Sequence, residues 1–154
     1  MNIEDIIRHI RSRPYMSGVE RSQQRILERQ EVFTPTILTI ESLSKLDNSY
    51  FADPEQEFID PCCGDGTLLG ETLILKCQNG IPFETALKKI KGMDIETSNV
   101  EATKERLLCG RKDLRNIVDK NIIQGDALQN DLLWGKPKSF GPNDLFTIMP
   151  TEQE

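Results

Sequence analysis

The stretch Asp60-Pro61-Cys62-Cys63-Gly64-Asp65-Gly66-Thr67-Leu68-Leu69 constrains the fold of this 154-residue chain more than any other. Phe58-Ile59 before it reads as the end of a buried strand, and Leu68, Leu69 and Leu73 after it begin a helix. A strand, a tight glycine turn and a helix make a nucleotide-type cofactor site. Glycine lets the backbone approach a ligand, and the helix N-terminus offers N–H groups that the helix itself does not use.

The rest of the chain supplies partners for that strand. Ile3, Ile6, Ile7 and Ile10 recur at helical spacing, so residues 2–12 are expected to form an amphipathic helix ended by Pro14. A second helix is expected over 18–29. Thr36 is expected to cap a third, running to about Leu46 with Ile37, Ile40 and Leu43 on one face. Asp47-Asn48 and the Pro54 region read as a loop. After the glycine turn, a helix runs to about Cys77 and Asn79-Gly80 closes it. Pro82 opens another, with Phe83, Ala86, Leu87 and Ile90 at helical spacing. Gly92-Met93-Asp94-Ile95 is a second strand, 97–108 a helix, Ile122-Ile123 a third strand and Leu145–Ile148 a fourth. Alternating strands and helices predict an α/β fold, a doubly wound and mainly parallel sheet behind an N-terminal helical segment. The expected organisation is residues 1–30 as that segment, 31–149 as the cofactor-binding domain and 150–154 as a polar tail.

Composition narrows the classes. No run approaches the ~18 apolar residues of a membrane span, and the acidic start Met1-Asn2-Ile3-Glu4-Asp5 is unlike a signal peptide; a cytoplasmic protein is expected. Cys62, Cys63, Cys77 and Cys109 form no Cys-x-x-Cys pair and His9 is the sole histidine, so no metal site is expected. The net charge is −6, whereas duplex DNA binding carries a basic footprint. The two mildly basic segments, 1–30 and 104–120, read as solvated helix faces.

Asp60, Asp94 and Asp126 are each expected to end a strand, where an open α/β sheet binds its ligands. Asp94 lies 34 residues after Asp60, beyond the ~20 of the dinucleotide fold; the helix at Pro82–Ile90 accounts for the excess. Gly64 to Gly70 also has its last glycine one place late for an NAD-type fingerprint, which makes an oxidoreductase the weaker reading.

The acid-Pro-x-Cys-Gly-x-Gly form resembles the S-adenosylmethionine (SAM) loop of the adenine-N6 DNA methyltransferases of restriction–modification systems. Gln30-Glu31-Val32-Phe33-Thr34-Pro35 resembles the segment that precedes their SAM domain. Gly92-Met93-Asp94-Ile95 with Asn99-Val100 and Arg106-Leu107-Leu108 resembles their second strand and helix, and Asn121 to Leu128 their adenine-contacting segment. The resemblance covers about residues 28–149 and implies a partial class I SAM-methyltransferase fold. It implies that Phe33-Thr34-Pro35 close over the SAM methionine and that Asp60-Pro61-Cys62 with Gly64 and Gly66 form the loop whose backbone N–H groups approach methionine and ribose. It further implies that Asp94 takes the ribose hydroxyls, Ile95 packs on the adenine, Asp126 accepts the adenine amino group, and Ala127 or Leu128 lines the ring.

The family's catalytic segment is Asn-Pro-Pro followed by an aromatic residue. Here Met149-Pro150-Thr151-Glu152 stands at that place. A thioether cannot replace an amide acceptor, and an anion does not stack on a flipped base. The expected function is therefore the SAM-binding portion of an adenine-N6 DNA methyltransferase, with methyl transfer absent from the isolated chain or completed by another polypeptide. The alternative is a non-catalytic SAM-binding or interaction protein. Expected partners are SAM or S-adenosylhomocysteine, DNA only weakly or through another protein, and a second copy or companion protein beside the fourth strand, with no membrane.

Overall fold

In a computed structural model of the chain, the structure describes residues 1–12 and 34–128. The helix expected at 18–29, the strand at Leu145–Ile148, Phe33 and Met149–Glu152 lie outside the described residues.

Helix α1 (Ile3–Arg11) starts where the Asn2 side chain accepts the Asp5 N–H at 2.8 Å. Ile6 and Ile10 are buried, with Ile3 and Ile7 packed beside them, so the isoleucine stripe faces the core as its spacing predicts. Helix α2 (Thr36–Leu43) departs from expectation. Pro35 occupies the N-cap in place of Thr36, and the helix stops at Leu43. Its buried side is Thr39 and Leu43, while Ile37 is 70% exposed; residues four apart face the neighbouring helix, and Ile37 projects away from it. A four-residue helix α3 (Ser49–Ala52) interrupts the expected loop. It delivers Phe51 onto Phe58, the two rings stacked at 5.2 Å.

Strand β1 (Phe58–Asp60) leads through the glycine turn into α4 (Thr67–Gln78). Then follow α5 (Phe83–Lys88), β2 (Ile90–Asp94) and α6 (Thr97–Leu108). A short 3-10 turn at Lys112–Leu114 and α7 (Arg115–Asn121), neither foreseen from the sequence, precede β3 (Ile122–Gln124). The pattern Leu114, Ile117, Val118 and Asn121 carries the helical period, and three of these four are buried. The strands are parallel in the order β1-β2-β3, with Asp60 opposite Gly92 and Gly92 opposite Ile122. Each crossover contains helices, as parallel neighbours require. The α/β character with a parallel sheet is therefore observed.

The core lies where α4 and α6 meet the sheet. Leu69, Leu73, Ile74, Ile90, Leu107 and Ile122 are each at most 1% exposed. Burial of a side chain of this size contributes ~1.5–3 kcal/mol. A Cβ added to Gly92 would sit 2.6 Å from a Leu69 methyl and 3.1 Å from Cys63, so the helix and the turn rest directly on the strand backbone.

Two of the buried charges tie neighbouring segments to this packing. Glu71 on α4, with its side chain 3% exposed, receives both nitrogens of the Arg11 fork at 2.9 and 2.7 Å, which ties α1 to the sheet layer. That pairing raises the Arg11 pKa above its ordinary value. Lys76, fully buried, donates to the carbonyls of Asp53 and Gln56 at 2.8 and 3.0 Å. Its ammonium lies 5.3 Å from the centre of the Phe58 ring, and burial lowers its pKa. One lysine thus clips the segment that leads into β1.

Arg11 is half-exposed, but removing it strands the buried Glu71 carboxylate. Arg11→Ala is expected to cost ~2–4 kcal/mol in urea unfolding, and adding Glu71→Gln to recover part of it. A loss below ~0.5 kcal/mol would show that the pair does not hold α1 in place.

Candidate ligand-binding site

The carboxyl ends of the three strands bring three turns together, and an aspartate folds each turn in the same way. Asp60 accepts the Cys62 N–H at 3.1 Å, Asp94 the Glu96 N–H at 2.8 Å, and Asp126 the Leu128 N–H at 2.9 Å. Each bond runs from residue i to i+2, the Asx turn that aspartate forms with its own backbone. Asp60 and Asp94 end their strands as expected. Asp126 does not, because β3 ends at Gln124. The Gly125 N–H reaches the Asp94 carbonyl at 3.0 Å, and the turn begins after it.

Asp94 does more than shape its own turn. Its second oxygen accepts the Gly64 N–H at 2.9 Å, and the first also accepts the Asn99 amide at 3.0 Å. The Cys63 N–H adds a bond to the Met93 carbonyl at 2.8 Å. The glycine turn is thereby fastened to the end of β2. This corrects the expected role of its amides: the Gly64 N–H is taken by Asp94 and the Gly66 N–H by the Cys63 carbonyl at 2.8 Å, so neither is offered to a ligand. Gly66 is glycine for two other reasons. Its φ of +79° lies in the left-handed region, and an added Cβ would stand 2.8 Å from Thr103.

Between the three turns lies a cleft of about 340 Å³. Pro61 and Cys62 line it from the first turn, Asp94, Ile95 and Glu96 from the second, and Gly125 to Leu128 from the third. Ile95 is 63% exposed and Leu128 81%, an apolar pair left open beside the acids. Asp60, half-buried, adjoins the cleft through Cys62, while Gly64 and Gly66 lie behind the wall. Thr34 and Pro35 do not line the cleft; the Pro35 carbonyl accepts the Thr39 N–H at the start of α2. The structure therefore gathers Pro61, Cys62, Asp94, Ile95, Asp126 and Ala127 around one space, together with Glu96, whose place sequence reasoning did not single out.

The cleft is electrostatically one-sided. Among the described residues, Asp94, Glu96 and Asp126 line it, and no lysine, arginine or histidine does. Burial raises the Asp60 pKa, and the Asp94 charge adds to the effect. The Cys62 thiol is raised first by burial and then by Asp60, Asp94 and Asp126 together. Burial also lifts the Cys63 thiol well above the usual thiol range. Such a space accepts neutral or cationic ligands and repels phosphates.

Beneath the glycine turn, α6 presents polar side chains that pattern reading did not assign to the site. Thr103 donates to the Gly64 carbonyl at 2.9 Å. Arg106 donates to the Asp65 carbonyl at 3.1 Å and the Thr67 hydroxyl at 2.7 Å, and pairs with the Asp65 carboxylate at 3.2 Å. The available signal was their spacing from Asn99.

No family model, curated protein or solved structure matches the chain.

The raised pKa of Asp60 has a definite sign in stability. A carboxyl that binds its proton more tightly when folded stabilises the fold most at acid pH. That contribution is lost as pH rises from the unfolded value through the folded one. Asp60→Asn retains an oxygen for the Cys62 N–H and removes the charge. It is expected to be more stable than the parent chain at neutral pH, with the gain shrinking to nothing as acid protonates Asp60. Thermal melts across that range check this; a constant difference, or a loss at neutral pH, would contradict it.

Proposed function

We propose that the chain carries the SAM-binding part of an adenine-N6 DNA methyltransferase. The observation that carries the choice of cofactor is the cleft at the strand ends, walled by Asp94, Glu96 and Asp126 with no basic residue among the described residues. A dinucleotide brings a pyrophosphate, which seeks free amides at a glycine turn and nearby cations. This site has the Gly64 and Gly66 amides engaged and anionic walls, and so disfavours it. SAM carries a sulfonium and an ammonium against one carboxylate, and its net positive charge suits the same walls. The exposed Ile95 and Leu128 offer apolar surface to an adenine ring, and the chain beside Asp126 supplies acceptors for its amino group. The assignment to DNA adenine rests on the segments that resemble that family, Asp60 to Leu69, Gly92 to Ile95 and Asn121 to Leu128.

Met149 and Glu152 favour a chain that binds SAM without transferring its methyl group alone. Neither supplies the acceptor and the aromatic face that a flipped adenine needs. The charge distribution points the same way. In the basic segment 104–120, Lys104 pairs with Glu101 and Asp119, Arg111 with Asp113, and Arg115 with Glu101, Glu105 and Asp119. That face is neutralised by the protein's own acids, which weakens it as a phosphate-binding surface. The second reading, a non-catalytic SAM-binding or interaction protein, draws on the same two residues.

Calorimetry with SAM, S-adenosylhomocysteine and NAD tests the cofactor. SAM is expected to bind and NAD not to. Ile95→Ala is expected to weaken SAM ~5-fold, the loss of about 1 kcal/mol of apolar contact, without lowering the melting temperature, because Ile95 is exposed. NAD binding more tightly than SAM, or an unchanged affinity in Ile95→Ala, would overturn the reading.

Methyl transfer from tritiated SAM to unmethylated DNA tests the enzyme. The isolated chain is expected to incorporate several orders of magnitude less label than an intact methyltransferase. Robust incorporation by this chain alone would show that Met149-Pro150-Thr151-Glu152 does not stand at the active site. Incorporation restored by a companion protein favours the divided enzyme, and none under any condition the binding protein.

A further inference from the structure

We infer that Asn99, Thr103 and Arg106 are positioning residues: one polar stripe on α6 that presets the glycine turn and the Asp94 carboxylate for the ligand. The three are 2%, 0% and 3% exposed, so none is placed to greet a ligand itself. Their spacing, four residues and then three, puts them on one face of the helix. Successive side chains along that face meet successive parts of the site. Asn99 holds Asp94, Thr103 holds the Gly64 carbonyl, and Arg106 holds Asp65 and Thr67 at the start of α4.

A helix this close to the core ordinarily presents apolar residues there, and burying polar groups costs energy unless each is bonded. Here Thr103 and Arg106 bond to the glycine turn and the start of α4, and Asn99 to the Asp94 carboxylate that holds the turn. The Thr103 side chain also occupies the volume that a Cβ on Gly66 would need, 2.8 Å away, so the stripe fixes the turn by contact as well as by hydrogen bonds. A turn held in this way does not have to be ordered when a ligand arrives, and affinity gains accordingly. The link to ligand affinity rests on the SAM-binding reading; the fixing of the turn does not.

Thr103→Val keeps the shape and removes the hydroxyl, and Thr103→Ser restores the hydroxyl. Amide hydrogen exchange without ligand is the first measurement. In Thr103→Val, the Gly64 and Gly66 amides are expected to lose ~10-fold more protection than the β2 and α4 amides, which report global unfolding. In Thr103→Ser, that excess disappears. Equal loss everywhere, or none at the turn, would reduce Thr103 to an ordinary core residue and overturn the inference. The second measurement is SAM affinity well below the melting temperature. It is expected to fall ~10-fold in Thr103→Val and to return in Thr103→Ser. Unchanged affinity in Thr103→Val, where the parent chain binds, would overturn the coupling. A parent chain that does not bind SAM overturns the methyltransferase reading instead, and the exchange measurement still decides whether the stripe fixes the turn.

Discussion

The carboxylate of Asp94 is the point on which the site's geometry depends. One oxygen accepts the Gly64 N–H from the first turn; the other accepts Glu96 N–H from its own turn and the Asn99 amide from α6. An ionised carboxylate suits this task because it accepts several hydrogen bonds at once, and charge assistance makes each stronger than a neutral bond. Without it, the glycine turn would be joined to β2 chiefly through the Cys63 N–H. The cleft exists because two independent loops are tied at this one group and a third, after β3, is bonded to the same residue's carbonyl.

That tie couples fold to function in an unexpected direction. The glycines of Gly64-Asp65-Gly66 are what a ligand-approaching backbone calls for, yet in this structure they serve internal packing. The turn rests on Gly92 and Thr103, and its Gly64 and Gly66 amides are spent within the protein. In the proposed site, ligand contact would pass instead to the side chains and backbone in front of the turn, around Ile95, Glu96 and Asp126. Acidic walls, an exposed apolar pair and, among the described residues, no lining cation would then select by charge. Lys104, Arg111 and Arg115, by contrast, are each paired with acids beside them.

Local periodicity made much of the fold legible. The isoleucines of α1, the helix after Gly66 and the apolar strand at Met93 are short-range patterns that the structure contains, although β2 begins at Ile90, read as part of the preceding helix, and ends before Ile95. The features that escaped are set by tertiary contact. Thr36-Ile37-Leu38 carries no mark of which side will face α4, so the buried face of α2 was misjudged. Lys76 reads as a surface lysine near a helix end. Only the carbonyls of Asp53 and Gln56, brought over it by the fold, make it a core residue. The site divides in the same way. Asp60, Asp94 and Asp126 were visible as turn-forming acids, but that Asp94 would clasp Gly64, and that Thr103 would support the turn from below, depends on packing between residues some 30 to 40 positions apart.

Mapping backbone amide shifts of the labelled chain during a SAM titration tests most directly whether this cleft is a SAM site. Saturable shifts are expected at Ile95, Glu96, Gly125, Asp126 and Ala127, with the amides of α1 and α7 unmoved. Shifts confined to another face, or none as SAM is raised to millimolar concentration, would contradict it.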